Sequence, residues 1–448
     1  MNLSPEQTKS IKNKVDTLEL NFQEVDKGYT YKMMLEEADR CLSCKHEPCV
    51  KACPLHLPIP QFISALKTGD VETANELIRT KSDFSAFCSR VCDVAKQCEE
   101  VCVRAIKHEA VGINYLERYV SDNHQLKLHK KPPLNGKRVA IIGSGPAGMA
   151  CAQDLAKQGF YVTLFSKESY AGGILAYGVP SYRLPVTLLY EKLEELNELG
   201  VRFKYNKTLG IDISLIELTE KYDAVFLGLG EEGAQPLNIP GDDLEHIYSS
   251  YDYLKRVNEH RLAELKHFKK VLVIGGGNTA MDCARVARRL GAEVVINYRR
   301  TLTEMPASKQ EIEEAQEEGI SFDLLSSPVE IKGNKVVEKV VCIRRETTEP
   351  DQNGRMQTQE ISGSEYEVDV DCVIKAIGST PNRTFRSNVL GLKTNERGHL
   401  WVDENHQTSM EKVYAGGDVV LGANTVVRAV ATGKKAAAAI SKVLLSEV

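Results

Sequence analysis

The stretch Arg138-Val-Ala-Ile-Ile-Gly-Ser-Gly-Pro-Ala-Gly148 decides the fold, because an apolar strand runs there into a glycine-rich turn. A helical pattern from Met149 to Gln158 and a second strand from Tyr161 to Phe165 follow, which predicts a β-α-β unit. In such a unit the first glycine permits the tight turn, the second lets the backbone approach a pyrophosphate, and the third lets helix and strand pack closely. The helix N-terminus then faces the phosphates. The sequence therefore predicts a dinucleotide site formed by Gly143, Ser144, Gly145, Pro146, Ala147 and Gly148.

The residue that would bind the ribose of this dinucleotide departs from the usual pattern. An acidic residue normally stands about 20 positions after the glycines, at the end of the second strand. Here that position is Ser166, followed by Lys167 and Glu168. Serine can hydrogen-bond a ribose, and Glu168 could reach back to it. The sequence leaves open which of the two makes the contact.

The same pattern recurs about 130 residues later. The strand Val271 to Ile274 enters Gly275-Gly-Gly277-Asn-Thr-Ala280, and a helix through Leu290 leads to a strand from Glu293 to Asn297. Alanine stands in the place of the third glycine. A second dinucleotide site is therefore predicted at Gly275, Gly277, Asn278, Thr279 and Ala280.

The strand of this second unit ends in Tyr298-Arg299-Arg300 rather than in an acid. Arginine at this place suits the 2′-phosphate of NADP, which it can bind through paired, charge-assisted hydrogen bonds. The alternative is that the two arginines are merely exposed on a loop.

Two such units predict an α/β protein with two Rossmann-like domains, the first interrupted by the second. Apolar strands that end in glycine lie at Ala224–Gly230 and Cys372–Gly378. We predict a first nucleotide domain at 127–260 and 370–448 and a second at 261–369. The chain before them, 1–126, reads as short helices between cysteine loops, and 127–136 as a linker. The predicted helices of that part are Glu36 to Arg40, Pro60 to Lys67, Val71 to Arg79 and Ile113 to Val120.

Eight of the 12 cysteines fall in this N-terminal part, in two runs of four. The first run is Cys41-Leu-Ser-Cys44-Lys-His-Glu-Pro-Cys49-Val-Lys-Ala-Cys53-Pro54, and the second holds Cys88, Cys92, Cys98 and Cys102. Thiolates suit iron–sulfur clusters, and a run ending in Cys-Pro is typical of ferredoxins, in which one cysteine commonly serves the other cluster. Two zinc sites of four cysteines each are the alternative.

The other four cysteines have patterns typical of core residues, namely Cys151, Cys283, Cys342 and Cys372. No Cys-x-x-Cys or Cys-x₄-Cys pair lies beside a nucleotide domain. This argues against a reductase that works through a redox disulfide.

Composition indicates an ordinary soluble protein of 448 residues, 42% hydrophobic and 27% charged. A net charge of −5 gives no basic excess for nucleic acid. No apolar stretch approaches the roughly 20 residues that span a bilayer. The start of the chain, Met1 to Glu6, has no signal-peptide pattern, so we predict a cytoplasmic protein.

Taken together, these motifs resemble the small (beta) subunit family of NADPH-dependent glutamate synthase. They are similar also to the N-terminal half of dihydropyrimidine dehydrogenase and to the large subunit of NADH-dependent ferredoxin:NADP oxidoreductase. The resemblance covers about 22–444. Besides the two glycine motifs it rests on Ala38-Asp-Arg-Cys41-Leu-Ser-Cys44, Tyr177-Gly-Val-Pro-Ser-Tyr-Arg183-Leu-Pro185 and Ala415-Gly-Gly-Asp418-Val-Val.

The resemblance implies FAD, NADPH and two 4Fe–4S clusters with interleaved ligands. One cluster would be held by Cys41, Cys44, Cys49 and Cys102, and the other by Cys53, Cys92, Cys98 and Glu117. Spacing alone would select all eight cysteines, so Glu117 rests on the resemblance and Cys88 is left over. The alternative for Glu117 is an exposed helix residue.

The resemblance also places Arg183 near the flavin and Asp418 near the ribityl and phosphate groups of FAD. It places Asn424, Thr425 and Val426 near the isoalloxazine ring, where a helix N-terminus could stabilise negative charge. No residue is assigned as a certain general acid or base. The predicted cofactor-binding residues are completed by Gly173, Ala376, Gly378 and Gly417.

The predicted function is an NADPH-dependent oxidoreductase that passes electrons between NADPH, FAD and the clusters, to or from a partner. That partner would be a larger catalytic subunit or a small flavin or ferredoxin-type protein, and an oligomer is left open. Three alternatives remain: the electron-input subunit of a pyrimidine reductase, the large subunit of a bifurcating ferredoxin:NADP oxidoreductase, and a zinc-stabilised nucleotide-binding regulator without turnover.

Overall fold

A computed structural model describes residues 2, 4–13, 20–124, 131–351, 354–381 and 391–446. Part of the predicted linker, 127–130, and the predicted boundary between 126 and 127 lie outside these residues. Within the described residues, no helix is both long enough and apolar enough to cross a membrane.

The N-terminal part is helical, as its sequence predicts. The helix Val71–Arg79 begins where the Asp70 side chain accepts a hydrogen bond from the backbone N–H of Thr73. The first helix begins earlier than predicted, because the Thr30 side chain caps it through the N–H of Met33. The α-helices of this part are Tyr31–Ala38, Pro48–Ala52, Ile59–Lys67, Val71–Arg79, Ser85–Val91 and Ile113–Asn123, with short 3₁₀ turns at Val94–Lys96 and Val103–Ile106.

The cysteines of the two runs lie in the loops and near the helix ends of this part, except for Cys88, which lies in the middle of the helix Ser85–Val91. Phe62, Ile63 and Leu66 are completely buried between the helices and form its core. Cys53, Cys88 and Cys98 belong to the same buried cluster. Both runs of cysteines therefore pack against this core.

The first parallel sheet contains the first glycine motif. Its strands, in spatial order, are Val413–Ala415, Ala224–Leu227, Arg138–Ile142, Tyr161–Phe165 and Arg202–Lys204. The helices Pro146–Ala156 and Val426–Ser446 pack against each other beside it. Gly433 permits this contact, since a Cβ atom there would lie 2.1 Å from the carbonyl oxygen of Ala147. Other helices of this region are Ile174–Tyr177, Val186–Glu198, Leu215–Lys221 and Asp418–Leu421.

The second parallel sheet contains the second glycine motif. Its strands, in spatial order, are Ile247–Ser249, Cys372–Lys375, Lys270–Ile274, Glu293–Tyr298 and Ser321–Leu324. The helices Ser250–Asn258, Asn278–Arg289 and Lys309–Glu317 accompany it. An antiparallel sheet follows in the chain, made of Ser326–Lys332, Lys339–Pro350, Met356–Glu360 and Tyr366–Asp369. The predicted fold class, an α/β protein with a helical N-terminal domain and two Rossmann-like domains, is confirmed.

The sheets divide the chain differently from the predicted boundaries. The sequence prediction has the first nucleotide domain resume near residue 370, but the strand Cys372–Lys375 pairs with Lys270–Ile274 in the second sheet. The strand Ile247–Ser249, before the predicted boundary at 260, also lies there. A short antiparallel pair, Gly233–Ala234 with Ser379–Thr380, marks the two crossings between the sheets. The chain returns to the first sheet at Val413–Ala415.

Candidate functional site

The glycines of the first motif serve two different purposes. Gly143 has φ +103°, and a Cβ atom there would lie 2.1 Å from the carbonyl oxygen of Gly228. A Cβ atom on Gly148 would lie 1.9 Å from the carbonyl oxygen of Gly143, inside the strand–helix contact. Gly145 differs, since its nearest neighbour would be the Cα of Gly173 at 3.9 Å. Gly143 and Gly148 are thus required by packing, whereas Gly145 leaves room for a ligand.

A cavity of about 360 Å³ opens in front of this motif. Its lining includes most of the residues predicted to bind FAD: Gly143, Ser144, Gly145, Pro146, Ala147, Ser166, Glu168, Gly173, Gly417, Asp418, Asn424, Thr425 and Val426.

Ser166 and Glu168 both line this cavity, but each already has polar partners. The Ser166 hydroxyl accepts hydrogen bonds from the Ser144 hydroxyl at 3.0 Å and from the Glu168 backbone N–H at 3.2 Å. The Glu168 carboxylate accepts a hydrogen bond from Lys255 Nζ at 2.7 Å. The choice of ribose contact therefore stays a prediction.

In the second motif, too, one glycine is required by packing and another leaves room for a ligand. Gly275 has φ +141°, and a Cβ atom there would lie 2.2 Å from the carbonyl oxygen of Ala376. A Cβ atom on Gly277 would have no neighbour within 4 Å. Ala280, in the place of the third glycine, is completely buried in the helix–sheet core rather than facing a ligand.

A larger cavity, of about 890 Å³, opens in front of this second motif. The predicted residues that line it are Arg183, Gly275, Gly277, Asn278, Thr279, Arg299, Arg300, Ala376, Gly378, Asp418, Asn424, Thr425 and Val426. Ala376 and Gly378 thus lie on the side of the second motif, because their strand belongs to the second sheet. Sequence reasoning missed Arg355, which also lines this cavity from the antiparallel sheet.

Arg183 lines the larger cavity and not the smaller one. Its guanidinium is held by Asp282 at 2.8 Å and by Glu311 at 3.2 Å, on the two helices that follow the second motif. These carboxylates raise the pKa of Arg183 against the opposing effect of burial, so its charge is fixed. Arg183 therefore joins the segment after the first motif to the second nucleotide region.

The two cavities meet, since seven residues line both: Ile174, Glu231, Tyr251, Asp418, Asn424, Thr425 and Val426. Buried polar atoms without a hydrogen-bond partner in the described residues concentrate here. They are Glu231 Oε2, Tyr251 Oη, Asp418 Oδ1 and Thr425 Oγ1. Buried polar atoms of this kind normally have a partner, so their clustering fits a polar ligand spanning the junction. Sequence reasoning missed Glu231 and Tyr251.

The electrostatics of the junction point the same way. Burial, and secondly the nearby Glu231 carboxylate, raise the pKa of Asp418 to about 7. A hydrogen bond from the backbone N–H of Asn424 opposes this rise. The hydroxyl groups of a ribityl chain could supply the donors that the two carboxylates lack.

The first predicted ligand set lies together. Cys41, Cys44, Cys49 and Cys102 line a small cavity of about 30 Å³ whose other walls are largely apolar, including Ile59, Ile63 and Ile113. Burial raises the pKa of the Cys49 thiol to about 12. Four thiolates in such a place need a metal cation, which coordinates and deprotonates them. The donor set therefore fits an iron–sulfur cluster.

The second predicted ligand set also lies together. Burial raises the pKa of the Cys98 thiol, and the nearby charges of Cys53 and Glu117 add to that rise. The charges of Glu117 and Cys98 also raise the pKa of the Cys92 thiol. Glu117 is 7% exposed, its Oε1 has no hydrogen-bond partner among the residues that the structure describes, and burial raises the pKa of its carboxyl group to about 8. An orphaned buried carboxylate beside three thiols fits a fourth metal ligand.

Two further observations bear on these sets. The Cys88 thiol is the main cause that raises the pKa of the Cys92 thiol, so the left-over cysteine lies beside the second set. Within the described ranges, no three His, Cys, Asp or Glu side chains converge closely enough to hold a single metal ion. A four-iron cluster is larger than one ion and keeps its ligands further apart than the thiolates of a zinc tetrahedron, which lie about 2.3 Å from the metal.

The cysteines outside the helical part take no part in either cavity in the described chain. Cys151, Cys283, Cys342 and Cys372 are free thiols, all completely buried.

Comparisons with known proteins match both parts of the chain. Residues 137–433 match the family model described as pyridine nucleotide-disulphide oxidoreductase. Residues 18–128 match the model described as dihydropyrimidine dehydrogenase domain II, 4Fe-4S cluster. The chain is 34% identical over 439 residues to the glutamate synthase (NADPH) small chain of Escherichia coli (strain K12), and the match covers 93% of each chain.

Another relative is the NADP(+)-dependent formate dehydrogenase subunit beta of Moorella thermoacetica, 37% identical over 430 residues. That match covers 89% of this chain but 60% of the relative, so this chain spans less than two thirds of it. Among solved structures, FprA of Mycobacterium tuberculosis in complex with NADPH has a TM-score of 0.60 at 22% identity, covering 70% of this chain and 85% of that chain. At this identity the likeness shows the fold alone.

Proposed function

Because this chain belongs to the family of NADPH-dependent flavin and iron–sulfur oxidoreductases that includes the glutamate synthase small chain, we propose that it carries electrons between NADPH and a partner subunit. FAD would occupy the smaller cavity, NADPH the larger one, and two 4Fe–4S clusters the two ligand sets. The partner would be a larger catalytic subunit or a small flavin or ferredoxin-type protein. The relatives named as a small chain and as a subunit beta support a partner of this kind.

The observation that carries the proposal is that all three parts of the chain line the larger cavity. The helical part contributes Val91 and Asp93, on either side of the proposed ligand Cys92. The second nucleotide region contributes Gly277, and the first contributes Asn424. In this proposal the nicotinamide, the flavin and one cluster would therefore adjoin a single space.

The two ligand sets differ in depth, which suggests their order. Cys53, Cys98 and Glu117 of the set beside the cavity are buried, and its fourth member, Cys92, is half-buried. Cys41, Cys44, Cys49 and Cys102 of the other set are all half-buried. Electrons would pass between the cavity and the protein surface by way of the deeper set first.

The chemistry that bound FAD supplies is hydride acceptance and release of single electrons, and iron–sulfur clusters supply single-electron transfer. The chain's own contribution is to bind and orient. Gly145 and Gly277 leave room for close approach of the two pyrophosphates. The helix Val426–Ser446 begins at the cavity junction, where its N-terminus stabilises negative charge. Arg183 fixes the two nucleotide regions relative to one another.

Anaerobic reduction by NADPH tests the proposal, with iron and acid-labile sulfide analysis, flavin absorbance and EPR of the reduced protein. We expect one FAD and about eight irons per chain, bleaching on addition of NADPH, and reduction of a candidate partner protein. A colourless anaerobic preparation that contains stoichiometric zinc would contradict it and favour the regulator instead.

The choice of NADPH over NADH is tested separately at the arginines. Replacing both Arg299 and Arg300 with alanine should raise the Michaelis constant for NADPH far more than that for NADH. An equal effect on the two nucleotides would refute the assignment of these side chains to the 2′-phosphate.

A further inference from the structure

We infer that Arg355, on the antiparallel sheet, completes a three-arginine subsite that selects the 2′-phosphate of the nucleotide. The inference rests on the proposed function, because it concerns the NADPH site named there. It adds a specificity-determining residue from an element outside the β-α-β unit.

Two hydrogen bonds with Asp351 position Arg355, which directly precedes the strand Met356–Glu360. Its carbonyl oxygen accepts a hydrogen bond from the Asp351 backbone N–H at 2.8 Å. Its own backbone N–H donates to Asp351 Oδ1 at 3.0 Å. These two bonds fix the backbone of Arg355 at the start of the returning strand, with its side chain in the lining of the larger cavity.

The backbone next to Arg355 also positions Arg300. The Arg300 Nε–H donates to the carbonyl oxygen of Met356, the neighbour of Arg355, at 3.0 Å. Arg300 Nη1 is left buried without a hydrogen-bond partner in the described residues. Arg300 and Arg355, which are distant in the sequence, thus both line the larger cavity, and Arg300 keeps one donor unused.

The charges of this wall are unbalanced. Arg299 and Arg355 are both exposed, but the partial burial of Arg299, and secondly the charge of Arg300, lower the pKa of Arg299, and Arg355 adds to this effect. Among the residues that the structure describes, none of the three arginines forms an ion pair with a carboxylate. Arg345 behaves differently, since Glu360 neutralises it at 2.8 Å. Three close cations without a counter-ion repel one another, and binding of an anion relieves that repulsion.

The position of the wall identifies the anion. Arg299 and Arg300 follow the second strand of the β-α-β unit, where the adenosine ribose lies in this fold. A phosphate on the ribose 2′-oxygen presents three acceptor oxygens and about two negative charges, which suits several guanidinium donors. A nucleotide without this phosphate would leave the repulsion in place.

The test compares 2′,5′-ADP with 5′-AMP by isothermal titration of the anaerobic holoprotein, in wild type, Arg355→Ala, Arg355→Lys and Lys335→Ala. Lys335 lies in the same antiparallel sheet region, is 79% exposed and does not line the cavity, so its replacement controls for loss of one positive charge. Flavin and iron content and the thermal unfolding midpoint of each variant verify that the protein is intact.

We expect Arg355→Ala to raise the dissociation constant for 2′,5′-ADP about five- to tenfold and to leave that for 5′-AMP unchanged. Arg355→Lys should lose part of this affinity, and Lys335→Ala none. Equal weakening of both ligands by Arg355→Ala, or no weakening of either, overturns the inference while the wild-type preference for 2′,5′-ADP still stands. If wild type itself binds both ligands equally, the NADPH assignment of the proposed function fails first.

Discussion

Gly145→Ala and Gly143→Ala should separate the two demands that the first motif makes on glycine. Gly145 has φ −74° and ψ −175°, which alanine adopts freely, and its new Cβ atom would meet nothing closer than 3.9 Å. Gly143 has φ +103°, and its new Cβ atom would lie 2.1 Å from the Gly228 carbonyl oxygen. The first replacement is therefore compatible with the protein alone, and the second is not.

The structure sets the size of each effect. For Gly143→Ala, the left-handed backbone costs about 1–2 kcal/mol and the displaced strand about 1–3 kcal/mol more. The sum, about 2–5 kcal/mol, should lower the thermal unfolding midpoint by at least about 4 °C. Gly145→Ala should raise the free energy of unfolding by about 0.4–1 kcal/mol, since alanine restricts the unfolded chain. The added methyl group would, however, occupy space that the FAD pyrophosphate needs, so FAD binding should weaken about tenfold or more.

The assay measures flavin content after purification and the thermal unfolding midpoint of the FAD-depleted protein. Gly145→Ala should lose flavin and keep or slightly raise its unfolding midpoint. Gly277→Ala is the matched control, because its Cβ atom likewise meets no steric obstacle, with no neighbour within 4 Å, but Gly277 lines the larger cavity. It should keep flavin and lose affinity for NADPH. Full flavin content in Gly145→Ala, or an unchanged midpoint in Gly143→Ala, would refute the reasoning.

Three further predictions concern buried polar groups. Glu117→Ala should change the EPR signal of one cluster and leave the other, whereas Cys88→Ala should change neither; unaltered signals in the first variant would remove Glu117 from the ligands. Burial, then a neighbouring carboxylate, raise the pKa of Asp418 from 3.8 to about 7. The folded, FAD-depleted protein therefore holds this proton more tightly than the unfolded chain. Its contribution to stability is complete below about pH 4 and is lost as the pH rises through 7. The wild-type free energy of unfolding, measured with urea, should fall by about 2–4 kcal/mol between pH 5 and pH 8 through this group, and Asp418→Asn should remove that fall. If the variant changes the free energy of unfolding by the same amount at pH 5 and at pH 8, the prediction is contradicted. Arg183→Ala leaves Asp282 as a buried and unpaired acid and should cost about 3 kcal/mol, visible as a lower unfolding midpoint with flavin content unchanged.

Local patterns in the sequence predicted those features that local physics determines. The strand Arg138–Ile142 and the helix Val71–Arg79 have the bounds that the sequence predicts. The signals for both elements, an apolar strand pattern and a capping aspartate, come from residues that are adjacent in the sequence. The strand Cys372–Lys375 is predicted from the sequence, but the prediction assigns it to the first nucleotide domain and it lies in the second sheet. A short apolar strand that ends in glycine has the same pattern in either parallel sheet, and only its hydrogen-bonding neighbour, here Lys270–Ile274, distinguishes them.

The ligand sets illustrate the same limit. Spacing within each run of cysteines groups the thiols by run, but the structure groups Cys102 with Cys41 and places Cys53 near Cys98. The helices between the runs fold the two loops against each other, so sequence neighbours are divided between two sites. This grouping was available only from the resemblance to a family, because a helix packing angle has no signature in cysteine spacing.

The residues that sequence reasoning missed at the cavities share a property that no sequence pattern records. Glu231, Tyr251 and Arg355 follow no nucleotide-binding motif: Glu231 and Arg355 lie in connections, and Tyr251 lies in the first turn of the helix Ser250–Asn258. Glu231 and Tyr251 each carry a buried polar atom without a partner, and Arg355 stands beside Arg300, which carries another. An unpaired buried polar atom costs about 1–3 kcal/mol, so a stable fold keeps several at one place only when something repays them. A ligand that hydrogen-bonds to these atoms would remove this unfavourable free energy. The free energy released on pairing would then contribute to affinity, and to selectivity for a ligand with matching polar groups.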